Sequence, residues 1–292
     1  MDEIDRSQEV KKSGGQELIM TKILVTGANG MLGQDLCPIL EENGYTVIRT
    51  DIDNLDITNF DSVQNVLNSE KPDIVIHCAA YTNVDKAEED IETARLINKT
   101  GTENLAKVCG AKGITLLYIS TDYVFQGNGD KPYKSNDKTA PLNNYGLTKF
   151  EGEQAVQKYC EKYYICRTSW LYGINGKNFV ETMLSLADKP ELKVVDDQIG
   201  CPTWTCELSN AIIKILKDKP YGIYHTCGTG ITSWYGFARE IFRLSNKNVN
   251  LKPCTTSEFP RPAKRPAYSV MDNDNICRDW KDALAAYIKA YH

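Results

Sequence analysis

The chain has 292 residues and a net charge of −5, from 34 basic and 39 acidic side chains. That length allows one large α/β core with a smaller satellite, and the acidic balance argues against a broad nucleic-acid or anionic-membrane surface. No stretch approaches the ~18 apolar residues of a membrane-spanning helix, so a cytoplasmic protein with no membrane partner is expected.

Residues 1–19 read MDEIDRSQEVKKSGGQELI, a polar N-terminal extension without the apolar core of a signal peptide. The folded chain is expected to begin at Met20. Short β-branched runs then alternate with amphipathic segments of helical length. Lys22 to Thr26, Tyr45 to Arg49, Ile74 to Cys78 and Thr115 to Ser120 are nearly continuous in apolar character, which predicts buried parallel strands. Helices are predicted near Gly33 to Asn43, Phe60 to Ser69 and Glu89 to Cys109, and a further strand over Tyr163 to Thr168. Such alternation implies right-handed crossovers and a Rossmann-type, doubly wound parallel sheet.

After Trp170 the pattern loosens. Phe179 to Ala187 and Glu207 to Lys217 read as helices, Leu192 to Val195 as extended, and Gly222 to His225 as a strand returning to the large sheet. The tail holds a segment from Trp234 to Leu244, a proline and arginine loop from Phe259 to Pro266, and an amphipathic end from Trp280 to Ile288. The expected organisation is a dinucleotide-binding domain over 20–172 and a smaller substrate-binding region over 173–292, part of which returns to the first.

The segment Gly27-Ala28-Asn29-Gly30-Met31-Leu32-Gly33 follows the first strand and opens a helix. Gly27 permits a tight turn, Gly30 lets a pyrophosphate approach backbone N–H groups, and Gly33 allows close helix packing. The helix N-terminus then favours the phosphates of a dinucleotide. At the end of the second strand the signals conflict: Asp51 suits the ribose 2′-hydroxyl of NADH, whereas Arg49 suits the 2′-phosphate of NADPH. Asp56 and Ile57 are candidates for the adenine, although a turn-capping aspartate reads the same way. Ala79 and Ala80 supply small side chains where a cofactor must pass close to the backbone.

Tyr145 and Lys149 lie four residues apart on a helix beginning near Asn144, hence on one face. Reducing a ketone needs a proton for the developing alkoxide, which a phenol can give while a neighbouring ammonium favours the tyrosinate. Thr121, at the end of the fourth strand, can bond to the carbonyl oxygen. The ten cysteines follow no secretion signal, and Cys37, Cys78, Cys166 and Cys227 read as small buried hydrophobes. Cys201, Cys206, His77, His225 and His292 form no metal-ligand pattern.

Taken with VTGANGMLG at 25–33, AAYTNVDKAE at 79–88, STDYVFQGNGDKPY at 120–133, PLNNYGLTK at 141–149, RTSWLYG at 167–173, DDQIGCPT at 196–203 and RPAKRP at 261–266, the chain resembles the dTDP-4-dehydrorhamnose reductase family of extended short-chain dehydrogenases/reductases. The resemblance runs from about Met20 to the end. It implies Thr121, Tyr145 and Lys149 as the catalytic triad, and Tyr81 beside Ala79 and Ala80 at the cofactor. It also implies Thr121, Asp122 and Trp170 at the deoxysugar, and Asn98 as a support for site geometry. The implied reaction reduces the C4 ketone of dTDP-4-dehydro-β-L-rhamnose with NADH or NADPH. Arg261, Lys264 and Arg265 are candidates for the substrate diphosphate. Some family members use magnesium; no ligand cluster here predicts a catalytic metal. A homodimer is the expected assembly.

Three alternatives stand beside that expectation. The first is another nucleotide-sugar enzyme of this fold: a 4,6-dehydratase carries Asp-Glu after the threonine, whereas Asp122 precedes Tyr123 here, and the substrate domain is short for a 4-epimerase. A reductase of a related nucleotide 4-ketosugar would share every motif. A non-catalytic regulatory subunit, resembling that of methionine adenosyltransferase, would not need the triad.

Overall fold

The computed structural model describes residues 12–13, 16–17 and 20–292. The polar extension therefore lies mostly outside the described residues, apart from an antiparallel ladder of Lys12–Ser13 with Gln16–Glu17.

Six parallel strands form the central sheet: β1 (Lys22–Thr26), β2 (Thr46–Thr50), β3 (Ile74–His77), β4 (Thr115–Thr121), β5 (Tyr163–Thr168) and β6 (Gly222–His225). Their spatial order is β6-β5-β4-β3-β1-β2. The order reverses between β1 and β3, and a doubly wound sheet opens its ligand crevice at such a switch point, outside the carboxyl ends of its strands.

Both faces of the sheet are covered, which explains the continuous apolar runs of its strands. Leu24, Val75, Leu116 and Ile165 pack beneath helices α2 (Phe60–Glu70), α3 (Thr102–Lys112) and α4 (Asn144–Tyr159). Ile23, Val25, Ile76 and Cys166 pack beneath α1 (Met31–Glu42) and a later helix, Thr205–Asp218. A separate cluster gathers Val180, Phe237, Ile241, Trp280 and Tyr287 from Phe179–Ser185, Trp234–Leu244 and Trp280–Tyr291, with Tyr172 from the short strand Leu171–Tyr172. Short ladders join it, including Leu192–Val195 paired with Leu251–Cys254.

The helix predicted near Glu89 to Cys109 is present as one run from Ile91 to Lys112, with a π-helical turn inside it. A turn Lys86–Glu89 ends at Asp90, whose side chain accepts from Thr93 N and starts the helix at Ile91–Arg95. A π-helical turn, Leu96–Gly101, follows before α3. Asn98 is the physical reason for interest there. Its buried amide donates to Tyr81 O at 3.1 Å and Thr148 Oγ1 at 3.1 Å, while its oxygen accepts from Tyr81 N at 2.8 Å. Such turns recur at functional sites because one extra residue re-aims a side chain without ending the helix.

Candidate active site

The carboxyl ends of β1, β3, β4 and β5 open into a cleft of about 840 Å³. Its floor is built by glycine geometry. Gly27 has φ +66°, and a Cβ there would lie 2.7 Å from Ala79 N; one on Gly33 would lie 2.5 Å from Gly27 O. No side chain caps the N-terminus of α1, where Gly30 is the N-cap. Its first N–H groups therefore face the cleft without a side-chain acceptor.

Beneath this floor, His77 lies buried with Nδ1 2.8 Å from Thr26 Oγ1 and Nε2 3.1 Å from Thr102 Oγ1. Burial, aided by the Lys149 charge, lowers its pKa to about 3 and keeps the ring neutral. At the far end of the cleft, Asp51 accepts from Asn29 N at 3.0 Å, which ties β2 to the glycine loop. Asp56 lines the cleft and also caps a turn, accepting from Thr58 N at 2.9 Å and Thr58 Oγ1 at 2.7 Å. Both readings of that residue thus have a structural basis.

The helix α4 starts at the N-cap Asn143, which accepts from Gly146 N at 2.9 Å and donates to Lys264 O at 2.9 Å. Tyr145 and Lys149 project from its first turns into the cleft, beside Thr121. Burial raises the Tyr145 phenol to about 12, and a hydrogen bond with Thr121 opposes that rise. Lys149 Nζ donates to Ile119 O at 2.7 Å, and burial lowers its pKa to about 7 against the pull of Glu153. Asp122 is buried, and burial raises its pKa to about 6; its Oδ1 accepts from Thr121 Oγ1 at 3.0 Å. The nearby Ser269 hydroxyl opposes that rise, and Oδ2 is itself buried from solvent. Tyr123, in the position of a dehydratase's second acid, packs edge-on to Tyr145 at 5.6 Å.

The cleft thus brings together Gly27, Gly30, Met31, Leu32, Gly33, Asp51, Asp56, Ile57, Ala79, Ala80, Thr121, Asp122, Tyr145, Lys149 and Trp170. Trp170 adopts φ +48° and stacks on Trp234 with ring centroids 3.6 Å apart. Several expected residues lie elsewhere. Tyr81 is absent from the cleft lining, its backbone fastened to Asn98 between the lining residues Ala80 and Thr82. Arg261 and Arg265 line a second cavity of about 450 Å³ with Lys264. Asp85 occupies both guanidinium groups there, at 2.9 Å from Arg265 and 4.0 Å from Arg261.

Two features had no reading in the sequence. Lys177 and the exposed Ile52 also line the cleft. Behind Lys149, a buried Glu153 binds Arg167 through two bonds of 2.9 and 2.7 Å and accepts from Ser120 Oγ at 2.5 Å. The signal for Glu153 was available: it extends the Tyr145 and Lys149 spacing by one more turn.

The model of the RmlD substrate binding domain family matches residues 20–292. The chain belongs to the RmlD family. A dTDP-4-dehydrorhamnose reductase of Streptomyces griseus is 42% identical over 268 residues, covering 89% of this chain and 87% of the relative. A crystal structure of a dTDP-4-dehydrorhamnose reductase from Clostridium acetobutylicum is 48% identical, with a TM-score of 0.90 and coverage of 92% and 99% of the two chains. Another from Bacillus anthracis, in complex with NADP, is 41% identical with a TM-score of 0.91, covering 93% of this chain and 100% of that one. The RmlD fold and the cleft geometry agree on a nicotinamide-dependent oxidoreductase. A Cβ at Gly27 or Gly33 would strike the backbone of Ala79, Gly27 or Ala28, so glycines give the tight turn into the uncapped N-terminus of α1, and the residues present fit a dinucleotide pyrophosphate. Among the described residues no group of three or more His, Cys, Asp or Glu is arranged to hold a metal, and no helix is long and apolar enough to cross a membrane.

Proposed function

We propose that this protein reduces the C4 ketone of dTDP-4-dehydro-β-L-rhamnose to the alcohol of dTDP-L-rhamnose, using NADH or NADPH. The observation that carries this reading is the convergence of Thr121, Tyr145 and Lys149 with the glycine cradle on one cleft.

When bound, the reduced nicotinamide supplies the hydride that C4 receives. The chain's own residues do the rest. The α1 N-terminus and Gly27 to Gly33 hold the pyrophosphate, Asp51 the adenosine ribose, and Asp56 with Ile57 the adenine. Ala79 and Ala80 allow close approach, with Tyr81 fixing their loop through its backbone. Tyr145, protonated at neutral pH, gives its proton to the developing alkoxide. Thr121 bonds to the same oxygen and orients it. Lys149 binds ribose hydroxyls and favours the tyrosinate that remains. Asp122 orients the Thr121 hydroxyl through Oδ1 at the sugar end of the cleft, and Trp170 offers an apolar edge to the ring.

In this reading residues 20–172 carry the cofactor and 173–292 the substrate, with Thr205–Asp218 and β6 returning to the sheet. The Arg261 to Arg265 turn takes the diphosphate, which must share those cations with Asp85. Ten free cysteines suit a reducing cytoplasm, and we include a homodimer in the proposal.

The test is substrate-dependent oxidation of NADH and NADPH, followed by absorbance, with the product identified as dTDP-L-rhamnose. Folded protein that binds a cofactor yet gives no turnover would redirect the assignment to a related 4-ketosugar or to a regulatory role.

A further inference from the structure

The end of the cleft around Asp51 carries an asymmetry of charge that the reaction does not explain. Arg49, the cation closest in sequence, does not line the cleft. Its guanidinium is drawn to the outer side of α1, where Nη1 donates to Glu41 Oε1 at 2.7 Å and Nη2 to Oε2 at 2.9 Å. Two parallel bonds of this kind satisfy both forks of the pair and fix the guanidinium plane.

Asp51, two residues on, faces the other way. Its Oδ2 accepts from Asn29 N at 3.0 Å and its Oδ1 from Ile52 N at 2.9 Å, so backbone donors hold the carboxylate in place. Ile52 is 74% exposed and lines the cleft beside it, although an apolar side chain gains nothing from water there. Asp56 completes this end. Among the described residues, the cations in the lining are Lys149, on α4, and Lys177, on the loop before Phe179–Ser185. An adenosine ribose with a free 2′-hydroxyl would find an acceptor in Asp51. A 2′-phosphate dianion would find two carboxylates, an isoleucine and a cation already neutralised.

We propose that this chain selects NADH over NADPH, and that Glu41 sets the selection by holding Arg49 away from the adenosine end of the cleft. The inference rests on the cofactor reading of that cleft and concerns residues 41, 49, 51 and 52 of this chain, set against a relative solved with NADP. Glu41 is a positioning residue: it acts on the nucleotide only through Arg49.

The experiment measures binding of 5′-AMP, 2′,5′-ADP, NADH and NADPH by titration calorimetry, followed by kcat/KM with each reduced cofactor. A lost charge-assisted hydrogen bond is worth about tenfold in affinity, so NADH and 5′-AMP should exceed their 2′-phosphorylated counterparts by at least about that factor. Glu41→Ala frees Arg49 and should raise NADPH and 2′,5′-ADP affinity by about tenfold, with little change for NADH. Adding Arg49→Ala should cancel that gain, whereas Arg49→Ala alone should leave the NADH to NADPH ratio where it was. Asp51→Ala should lower the ratio by weakening NADH. Glu41 and Arg49 are both about half exposed, so these variants are expected to fold. Equal or tighter binding of NADPH by the wild type would overturn the proposal, as would a selective NADPH loss in Arg49→Ala alone. Binding of neither fragment would overturn the cofactor cleft as well, which separates the two failures.

Discussion

The ammonium of Lys149 lies 4.1 Å from the centroid of the Tyr118 ring, inside the protein and one helical turn beyond the phenol of Tyr145. That π-face and the Ile119 carbonyl contact the ammonium, and the charge of Glu153 offsets burial only in part. The Lys149 pKa near 7 therefore falls within the working range of the protein. Asp122, raised to about 6 by burial, titrates beside it. The reaction needs Lys149 charged and Asp122 ionised. We expect kcat/KM to fall above about pH 7 as Lys149 loses its proton, and below about pH 6 as Asp122 gains one. Asp122→Asn should remove the acid limb while leaving the alkaline one. A profile flat across neutral pH would refute both assignments.

Tyr145→Phe removes the proton donor and keeps the ring that packs on Tyr123. Turnover should fall by about 10²- to 10⁴-fold, the usual worth of a positioned acid. Nucleotide affinity, measured by fluorescence titration, should change little. Near-normal turnover would mean that another group supplies the proton.

Glu153 and Arg167 form a pair almost wholly removed from water, with side chains 1% and 3% exposed. Glu153→Gln leaves the guanidinium buried without its counter-charge. The expected loss is about 3–5 kcal/mol of stability, read from the urea midpoint. A loss below about 1 kcal/mol would place the pair among exposed salt bridges in energetic terms, against its geometry.

Gly33→Ala places a methyl 2.5 Å from Gly27 O and 2.6 Å from Ala28 Cα. Both are backbone atoms of the cradle, so α1 must shift rather than a side chain rotate. Affinity for both reduced cofactors should drop together, with their ratio unchanged. Unaltered binding would show that α1 tolerates the displacement and that close packing at Gly33 is dispensable.

What the sequence determined by itself is what repeats over short distances. Buried parallel strands announce themselves as continuous apolar runs because both faces are covered, and β1, β3 and β4 were legible in this way, within a residue or two at their ends, whereas the edge strand β2 is only partly buried. Tyr145 and Lys149 share a face because four residues nearly complete a turn, and the glycine loop is read from a strand that runs directly into a helix. The helix expected near Glu89 to Cys109 was legible too, but its π-helical turn was not, because there Asn98 reaches Tyr81 and Thr148, contacts 17 and 50 residues away.

Tertiary structure alone decided which partner each charge would find. Arg49 meets Glu41, Arg261 and Arg265 meet Asp85, and Glu153 meets Arg167, pairings that no local pattern specifies. It also decided that Asp122 would be buried beside Ser269, and that Lys149 would lie over Tyr118. The physical reason is common to all of them. A side chain's charge state and availability depend on desolvation and on neighbours brought close by packing, whereas periodicity records only which face of a segment avoids water.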